Sequence, residues 1–297
     1  MSTQIHTPES RPMWGVIWML ATGLTFVAVT AIVKHIGGGV PPAEAAFLRY
    51  VLGLVFLIPM LRPLIKANLQ RRQIILFGWR GVVHSIGVIL WFFAMTKIPI
   101  ADVTAMNYLS PIYVTIGAAL FLREKLAFRR ILAIVVALIG AMIILRPGFR
   151  EVSIGHIAML FTAVLFAASY LIAKRMADEV NPVVVVAMLS IMVPIGLAPF
   201  AYAQWVTPTL VQVGWLFLVA CFATTGHLTM TLAFRAAPMT VTQPVTFLQL
   251  VWASALGALV FAEPIDRYVV LGGLVIFASV SFITWREAVL KRRALAS

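Results

Sequence analysis

The sequence predicts an all-α integral membrane protein with ten transmembrane helices, arranged as two inverted five-helix repeats. Three observations predict this fold class: the composition, the number of apolar runs of bilayer length, and the similarity between the two halves of the chain. Of the 297 residues, 62% are hydrophobic and only 11% are charged, whereas a soluble domain carries roughly a quarter charged residues. This composition excludes an ordinary water-soluble globule.

The apolar runs set the number and the position of the predicted spans. A helix that crosses a bilayer needs about 20 apolar residues, and charge clusters or Pro and Gly breaks separate ten such runs. The gaps between them are too short for a soluble domain. We place the spans at residues 14–36, 43–62, 74–96, 101–122, 130–146, 155–176, 183–203, 213–235, 240–261 and 268–286.

Basic residues predict the orientation of these spans, because Lys and Arg are retained on the cytoplasmic side. Of the 23 Lys and Arg residues, 16 fall in the N-terminal tail, in alternate gaps and in the C-terminal tail. Five fall on the other side, and Arg49 and Arg80 lie inside spans. We therefore expect both termini in the cytoplasm, with residues 1–13 as a cytoplasmic tail and residues 288–297 as a basic cytoplasmic tail.

The second half of the chain repeats the first. A shift of 140 residues aligns nine identical residues of the first and sixth spans, from Gly15 with Gly155 to Lys34 with Lys174. A shift of 139 pairs Gly87 with Gly226 and Glu124 with Glu263. Because five spans are an odd number, the second unit enters the membrane from the opposite side, as in alternating-access transporters. We expect the repeats at residues 14–147 and 155–287.

Several short motifs carry a resemblance to a known family. They are Phe47-Leu48-Arg49, Leu109-Ser110-Pro111 with Phe121-Leu122-Arg123-Glu124, Leu138-Ile139-Gly140-Ala141, and the second-half copy at residues 257–263. With the five-plus-five pattern, the chain resembles the EamA-type carriers of the drug/metabolite transporter superfamily over essentially its whole length. Among these it is most similar to bacterial inner-membrane exporters of aromatic and other amino acids. It departs from the family pattern at Leu250, where the counterpart of Pro111 is often a second proline.

Polar and aromatic side chains inside the spans are the candidate substrate-binding groups, since such residues face the bundle interior or a wet cavity. In the fourth span, Thr104, Asn107, Tyr108 and Pro111 follow helical spacing and define one face. The corresponding face of the ninth span contains Gln243, Thr246 and Phe247. We expect the remaining lining residues to be His84, Trp91, Phe166, Tyr170, Thr224 and His227, with Pro111 and Pro244 as hinges.

Structural roles compete with these assignments. A Ser or Thr in a membrane helix often donates to a backbone carbonyl one turn earlier, and aromatic residues also fill space between helices. Arg49 is expected to anchor its span by pairing with Glu44 or with outer-loop carbonyls. Glu263 is expected to cap the helix that follows it. No cluster of Lys or Arg is expected near the middle of the bilayer, which disfavours sugar phosphates and nucleotides.

A neutral, polar and aromatic pocket suits a zwitterion with an apolar side chain. The expected function is therefore a secondary transporter that exports aromatic and other zwitterionic amino acids across the inner membrane by alternating access. The alternative is a carrier of another small metabolite, such as riboflavin or S-adenosylmethionine, which the same family also handles. The expected partners are a small-molecule substrate and the lipid bilayer, with the oligomeric state open.

Other function classes lack their sequence signals. The chain has no G-x-S-x-G or H-E-x-x-H motif, so an enzyme is not expected. Its single Cys221 excludes an internal disulfide and a cysteine-ligated metal site, and no metal or other cofactor is expected. The net charge of +13 comes from basic residues between apolar runs, so no nucleic-acid partner is expected either.

Overall fold

Helices make up almost all of the computed structural model, which describes residues 12–121, 128–146, 149, 151–177, 179–236, 245–246 and 248–296. Within these ranges there is no strand. Two 3-10 helices occupy Gly37–Gly39 and Leu54–Met60. The α-helices are α1 Pro12–Ile36, α2 Pro42–Gly53, α3 Leu61–Ile65, α4 Arg71–Lys97, α5 Ile100–Asn107, α6 Ser110–Phe121, α7 Phe128–Leu145, α8 Ile154–Ala177, α9 Pro182–Ala203, α10 Leu210–Ala236, α11 Leu248–Phe261 and α12 Arg267–Ala296.

Six helical segments of the described chain are long and apolar enough to cross a membrane. They match the predicted first, second, third, sixth, seventh and eighth spans. Their bounds are Met13–Gly39, Pro42–Ile65, Arg71–Lys97, Ile154–Ala173, Val183–Ala203 and Leu210–Met230. Shorter apolar helices lie at Ile131–Leu145, Leu248–Phe261 and Arg267–Phe282. The protein is therefore a multi-pass membrane protein.

Two predicted spans are not single α-helices. The second span changes from α2 to a 3-10 helix at Leu54 and returns to α-helix at Leu61, in a stretch that contains Pro59. The fourth span breaks between Asn107 and Ser110. Proline lacks an N–H donor and fits the first turn of a helix, so Pro111 lies in the first turn of α6 instead of extending α5. The single helical face predicted from Thr104 to Pro111 is therefore wrong.

The repeat is visible in the helix contacts, because α1 packs against α10 and α8 packs against α4. Each crossing places a phenylalanine against a glycine of the partner helix. A Cβ on Gly226 would lie 3.2 Å from the Phe26 ring, and a Cβ on Gly87 would lie 2.9 Å from the Phe166 ring. Gly87 and Gly226 are the pair aligned by the repeat, so the same close contact is built twice.

The helices α7 and α12 also cross at glycines. A Cβ on Gly140 would lie 2.8 Å from the Gly272 carbonyl oxygen, and a Cβ on Gly272 would lie 2.5 Å from the Gly140 carbonyl oxygen. Small residues let membrane helices approach until their backbones touch. The crossing therefore has no room for a side chain on either residue.

Gly140→Ala is expected to lower the stability of the folded protein by about 1–3 kcal/mol, because the added methyl group overpacks this crossing. The matched control is Gly214→Ala in α10, where a Cβ would meet nothing within 4 Å. That change should be neutral or stabilise by up to about 1 kcal/mol, since alanine favours helix more than glycine does. Thermal unfolding in detergent measures both, and equal losses in the two variants would contradict the tight crossing.

Glu263 holds three helical segments together. Its Oε2 accepts a hydrogen bond of 3.0 Å from the backbone N–H of Ile100, and its carboxylate forms an ion pair with Lys34 of α1. Lys34 Nζ also donates to the Ile98 carbonyl at 2.9 Å. The expectation that Glu263 caps the following helix is therefore wrong, because it caps α5 in the other half of the chain.

A second ion pair ties the start of α4 to the connection between α8 and α9. Arg72 pairs with Glu179, and Gln73 Nε2 donates to the same carboxylate at 3.2 Å. These hydrogen bonds, that of Arg72 first, hold the pKa of Glu179 below its usual value. Glu179 lies between the membrane-spanning segments, and both side chains of the pair are partly exposed, so the pair contributes little to the stability of the fold.

Candidate functional site

An aromatic cluster forms where α4 meets α8, and we define it as His84, Trp91, Phe166 and Tyr170. The His84 and Phe166 rings stack with their centroids 4.9 Å apart. The Trp91 ring meets Phe166 edge-on at 6.1 Å, and the Tyr170 ring lies 6.2 Å from Phe166. Four residues predicted to line the pocket are thus brought together, because the Gly87 crossing lets α8 approach α4.

Both ring nitrogens of His84 make hydrogen bonds. Nε2 lies 3.1 Å from the Tyr50 hydroxyl, and Nδ1 lies 3.1 Å from the Ser169 hydroxyl. These contacts join α4 to α2 on one side and to α8 on the other. They fix the plane of the imidazole, so His84 offers a preorganised flat face to the cluster. Trp91 adds an enclosed Nε1–H donor that has no hydrogen-bond partner in the described chain.

Two side chains in this region are accessible. Tyr170 of the cluster is 43% exposed. His227 of α10 is likewise exposed, with its ring edge-on to Phe26 at 5.3 Å. Spaces between the helices of a bundle are a usual place for a small ligand, so these side chains mark where a substrate can reach the cluster.

The break between α5 and α6 holds a second group of predicted site residues. Thr104 is buried, and its hydroxyl donates to the Ile100 carbonyl at 2.9 Å. This hydroxyl therefore bonds to its own helix backbone one turn earlier, which is a structural role. The Tyr108 hydroxyl donates to the Thr246 carbonyl at 2.8 Å, which joins the two halves of the chain. Asn107 is half-buried.

The other predicted site residues lie in α10, in α6 or outside the described residues. Thr224 is half-buried in α10, one helical turn before His227. Pro111 is described only as part of the α6 backbone. Gln243, Pro244 and Phe247 lie outside the described residues.

Sequence reasoning missed four residues around His84. Tyr50 and Ser169 hold its ring nitrogens, and Arg49 and Arg80 are both buried nearby. Ser169 follows Phe166 by three positions, so helical spacing from Phe166 would have found it. The arginines interrupt apolar spans, which is a signal by itself. The expected pairing of Arg49 with Glu44 is wrong, because the Glu44 carboxylate accepts from the Val206 N–H at 2.9 Å and the Arg49 guanidinium lies 4.3 Å from the Tyr50 ring centroid.

Comparison with known proteins identifies the family. The EamA-like transporter family matches residues 13–146 and again residues 153–285. The chain belongs to the EamA-like transporter family. The resemblance drawn from the motifs is thereby confirmed, and this EamA-like transporter is a multi-pass protein of the inner membrane with a small-molecule substrate and not an enzyme.

Curated relatives extend over almost the whole of this EamA-like transporter. It is 31% identical over 295 residues to the riboflavin transporter of Vibrio cholerae serotype O1, covering 96% of this chain and 97% of that protein. It is 23% identical over 273 residues to the S-adenosylmethionine uptake transporter of Rickettsia bellii, covering 92% and 94%. It is 25% identical over 264 residues to the pseudopaline exporter CntI of Pseudomonas aeruginosa, covering 88% and 93%.

A solved crystal structure shows a similar fold. It has a TM-score of 0.56 and 16% sequence identity to this chain, and the match covers 96% of this chain and 97% of the other. At this identity the likeness extends to the fold alone.

Proposed function

We propose that this transporter carries a flat heteroaromatic metabolite, with riboflavin as the first candidate, across the inner membrane. The observation that carries the proposal is the aromatic cluster: a fixed imidazole stacked on Phe166, with Trp91 and an accessible Tyr170 at its edges. Flat ring systems stack favourably on such faces. The carbonyl oxygens and the unprotonated ring nitrogens of riboflavin also accept hydrogen bonds, which suits the Trp91 N–H.

The named relatives favour this substrate class over amino-acid export. A riboflavin transporter is 31% identical to this chain, and the substrate named for the Rickettsia protein contains an adenine ring. An amino acid with an aromatic side chain would occupy only part of a surface built from four rings. The alternative drawn from the sequence is therefore our main proposal, and amino-acid export becomes an outcome that the test distinguishes.

We propose alternating access as the transport mechanism, with ten spans in two inverted units at residues 14–147 and 155–287 and both ends in the cytoplasm. The paired crossings of α1 with α10 and of α4 with α8 support two related units, and the one-sided basic residues support the orientation. Rocking of the units would open the cavity to each side in turn. Pro111 and Pro244 are the proposed hinges, and Gln243, Thr246 and Phe247 are proposed to line the cavity with Asn107, Tyr108, Thr224 and His227.

Counterflow in liposomes tests the substrate. Vesicles preloaded with unlabelled riboflavin are expected to accumulate labelled riboflavin from outside at a rate well above that of empty vesicles. Parallel vesicles carry phenylalanine, methionine and threonine. Exchange of amino acids without exchange of riboflavin would overturn the proposal and restore amino-acid export. Protein-free vesicles supply the control for leakage.

A further inference from the structure

Two arginine side chains are buried beside the aromatic cluster. Arg49 of α2 is 7% exposed and Arg80 of α4 is 6% exposed, and both belong to segments apolar enough to span a membrane. Guanidinium groups stay protonated in proteins, and a charge inside the bilayer is expensive and marks a functional site by default. Each of these two arginines is therefore a candidate functional residue.

A chain of contacts and helical spacing link the two arginines to His84 of the cluster. The Arg49 guanidinium carbon lies 4.3 Å from the Tyr50 ring centroid, and the Tyr50 hydroxyl bonds to His84 Nε2. Arg80 precedes His84 by four positions in α4, so the two side chains share a helix face. Both positive charges thus lie beside the aromatic cluster.

Neither charge is neutralised by the described part of the protein. No described carboxylate forms an ion pair with Arg49 or Arg80. The buried carboxylates of that part belong to Glu44 and Asp102. Glu44 accepts from the backbone N–H of Val206, and Asp102 contacts His156.

Hydrogen bonding also leaves donors available on both guanidinium groups. Arg80 Nη1 donates to the Val185 carbonyl at 2.8 Å, while its enclosed Nε has no partner in the described chain. Arg49 makes no hydrogen bond to another described side chain or backbone group. Donors with a full positive charge, and with no described acid beside them, are suited to bind an anion.

We propose that Arg49 and Arg80 form the anion-binding end of the substrate cavity and take a carboxylate or phosphate attached to a flat ring. A guanidinium offers a planar fork that matches either group with two parallel hydrogen bonds. The ring stacks in the aromatic cluster while the anionic group reaches the arginines, so riboflavin, which has no such group, occupies the aromatic cluster alone. This inference rests on the proposed function, because it takes the same cavity as the substrate site.

The proposed anion site runs against the expectation that no basic cluster lies near mid-bilayer. The sequence shows one arginine in each of two spans, and α2 packs against α4 with Tyr50 bonded to His84. With an anion site there, sugar phosphates, nucleotides and acidic heterocycles would no longer be disfavoured by charge.

The test compares ligands that differ only in the anionic group. Affinity for detergent-purified full-length protein is measured for three pairs: flavin mononucleotide and riboflavin, S-adenosylmethionine and S-adenosylmethioninamine, phenylalanine and phenylethylamine. In at least one pair, the acidic member is expected to bind at least about tenfold more tightly, which is the effect of one charge-assisted hydrogen bond. The first pair reports a phosphate, and the other two report a carboxylate.

Substitutions of Arg49 test whether this residue causes the preference for the acidic ligand. Arg49→Gln is expected to remove the preference for the acidic member while leaving the affinity for its neutral partner within about twofold, since stacking is untouched. Arg71→Gln removes the same charge from an exposed position at the start of α4 and should change neither affinity. If Arg49→Gln fails to fold, Arg49→Lys keeps the charge without the planar fork and should weaken the preference without abolishing it.

Failure of this inference is separable from failure of the proposed function. Riboflavin counterflow with equal affinities within every pair overturns the anion site alone, as does an Arg49→Gln variant that weakens both members of a pair equally. A preference for an acidic member without any riboflavin exchange supports the anion site and overturns riboflavin as the substrate. Absence of binding by every acidic member overturns the anion site outright.

Discussion

Phe166→Ala is expected to reduce riboflavin counterflow at least tenfold. Phe166 stacks on His84 and meets the edges of Trp91 and Tyr170, so its removal takes away the central face of the cluster. Aromatic pairs contribute about 0.5–1.5 kcal/mol each beyond the area they bury, and three such contacts end on this ring. The initial rate of labelled uptake into preloaded vesicles measures the loss.

The matched control is Phe161→Ala in the same helix. Phe161 is 59% exposed and has no contact with the aromatic cluster. Its replacement should leave counterflow unchanged. Because the loss of a buried phenylalanine also costs stability, about 3–5 kcal/mol for full truncation, thermal unfolding accompanies both variants, and Phe166→Leu serves where Phe166→Ala is unstable. Full transport by a folded Phe166→Ala variant would contradict the assignment of the cluster as the substrate site.

The sequence predicts the large-scale architecture well where a repeated signal exists. The pairing of Gly87 with Gly226 emerges from a shift of the sequence against itself, and the structure places each glycine under a phenylalanine of the first or sixth span. Composition and the lengths of apolar runs identify the spans because the bilayer imposes a fixed length on a helix. These are properties of the chain that do not depend on knowing which helices touch.

Contacts between helices are what the sequence does not predict. The break at Tyr108 depends on how α5 and α6 pack, although Pro111 makes a break possible. The partner of Glu263 is Ile100, far away along the chain, and spacing within one helix contains no sign of it. In the sequence, Arg49 and Arg80 are single charged residues in two separate apolar spans. The structure relates them through the hydrogen bond between Tyr50 of α2 and His84 of α4. Site geometry therefore has to come from tertiary structure, even where the residue types are correctly selected.

The contact between Asp102 and His156 is an enclosed polar link between the two halves of the described chain. Asp102 Oδ2 lies 2.8 Å from His156 Nε2, and their side chains are only 2% and 3% exposed. Asp102 is in α5 and His156 is in α8, so the pair ties the fourth span to the sixth. A buried pair of this kind contributes little net free energy compared with well-packed apolar residues, but removing one partner leaves the other buried without its contact.

Asp102→Ala is accordingly expected to lower the free energy of unfolding by about 3 kcal/mol, the lower end of the cost of breaking a buried pair. His156→Ala should cost a similar amount. The double variant should cost at least about 1 kcal/mol less than the sum of the single variants, because contacting residues are energetically coupled. Thermal or denaturant unfolding in detergent gives all three values.

Glu151→Ala is the control, since Glu151 is exposed close to the start of α8 and surface changes usually fall within about 0.5 kcal/mol. Strictly additive losses in the double variant would mean that the two side chains stabilise the fold independently. In that case the halves would be held together by the helix crossings of α1 with α10, α4 with α8 and α7 with α12, and by Glu263 at the start of α5. A coupled loss adds the Asp102–His156 pair to these contacts as a polar link between the halves that works as a unit.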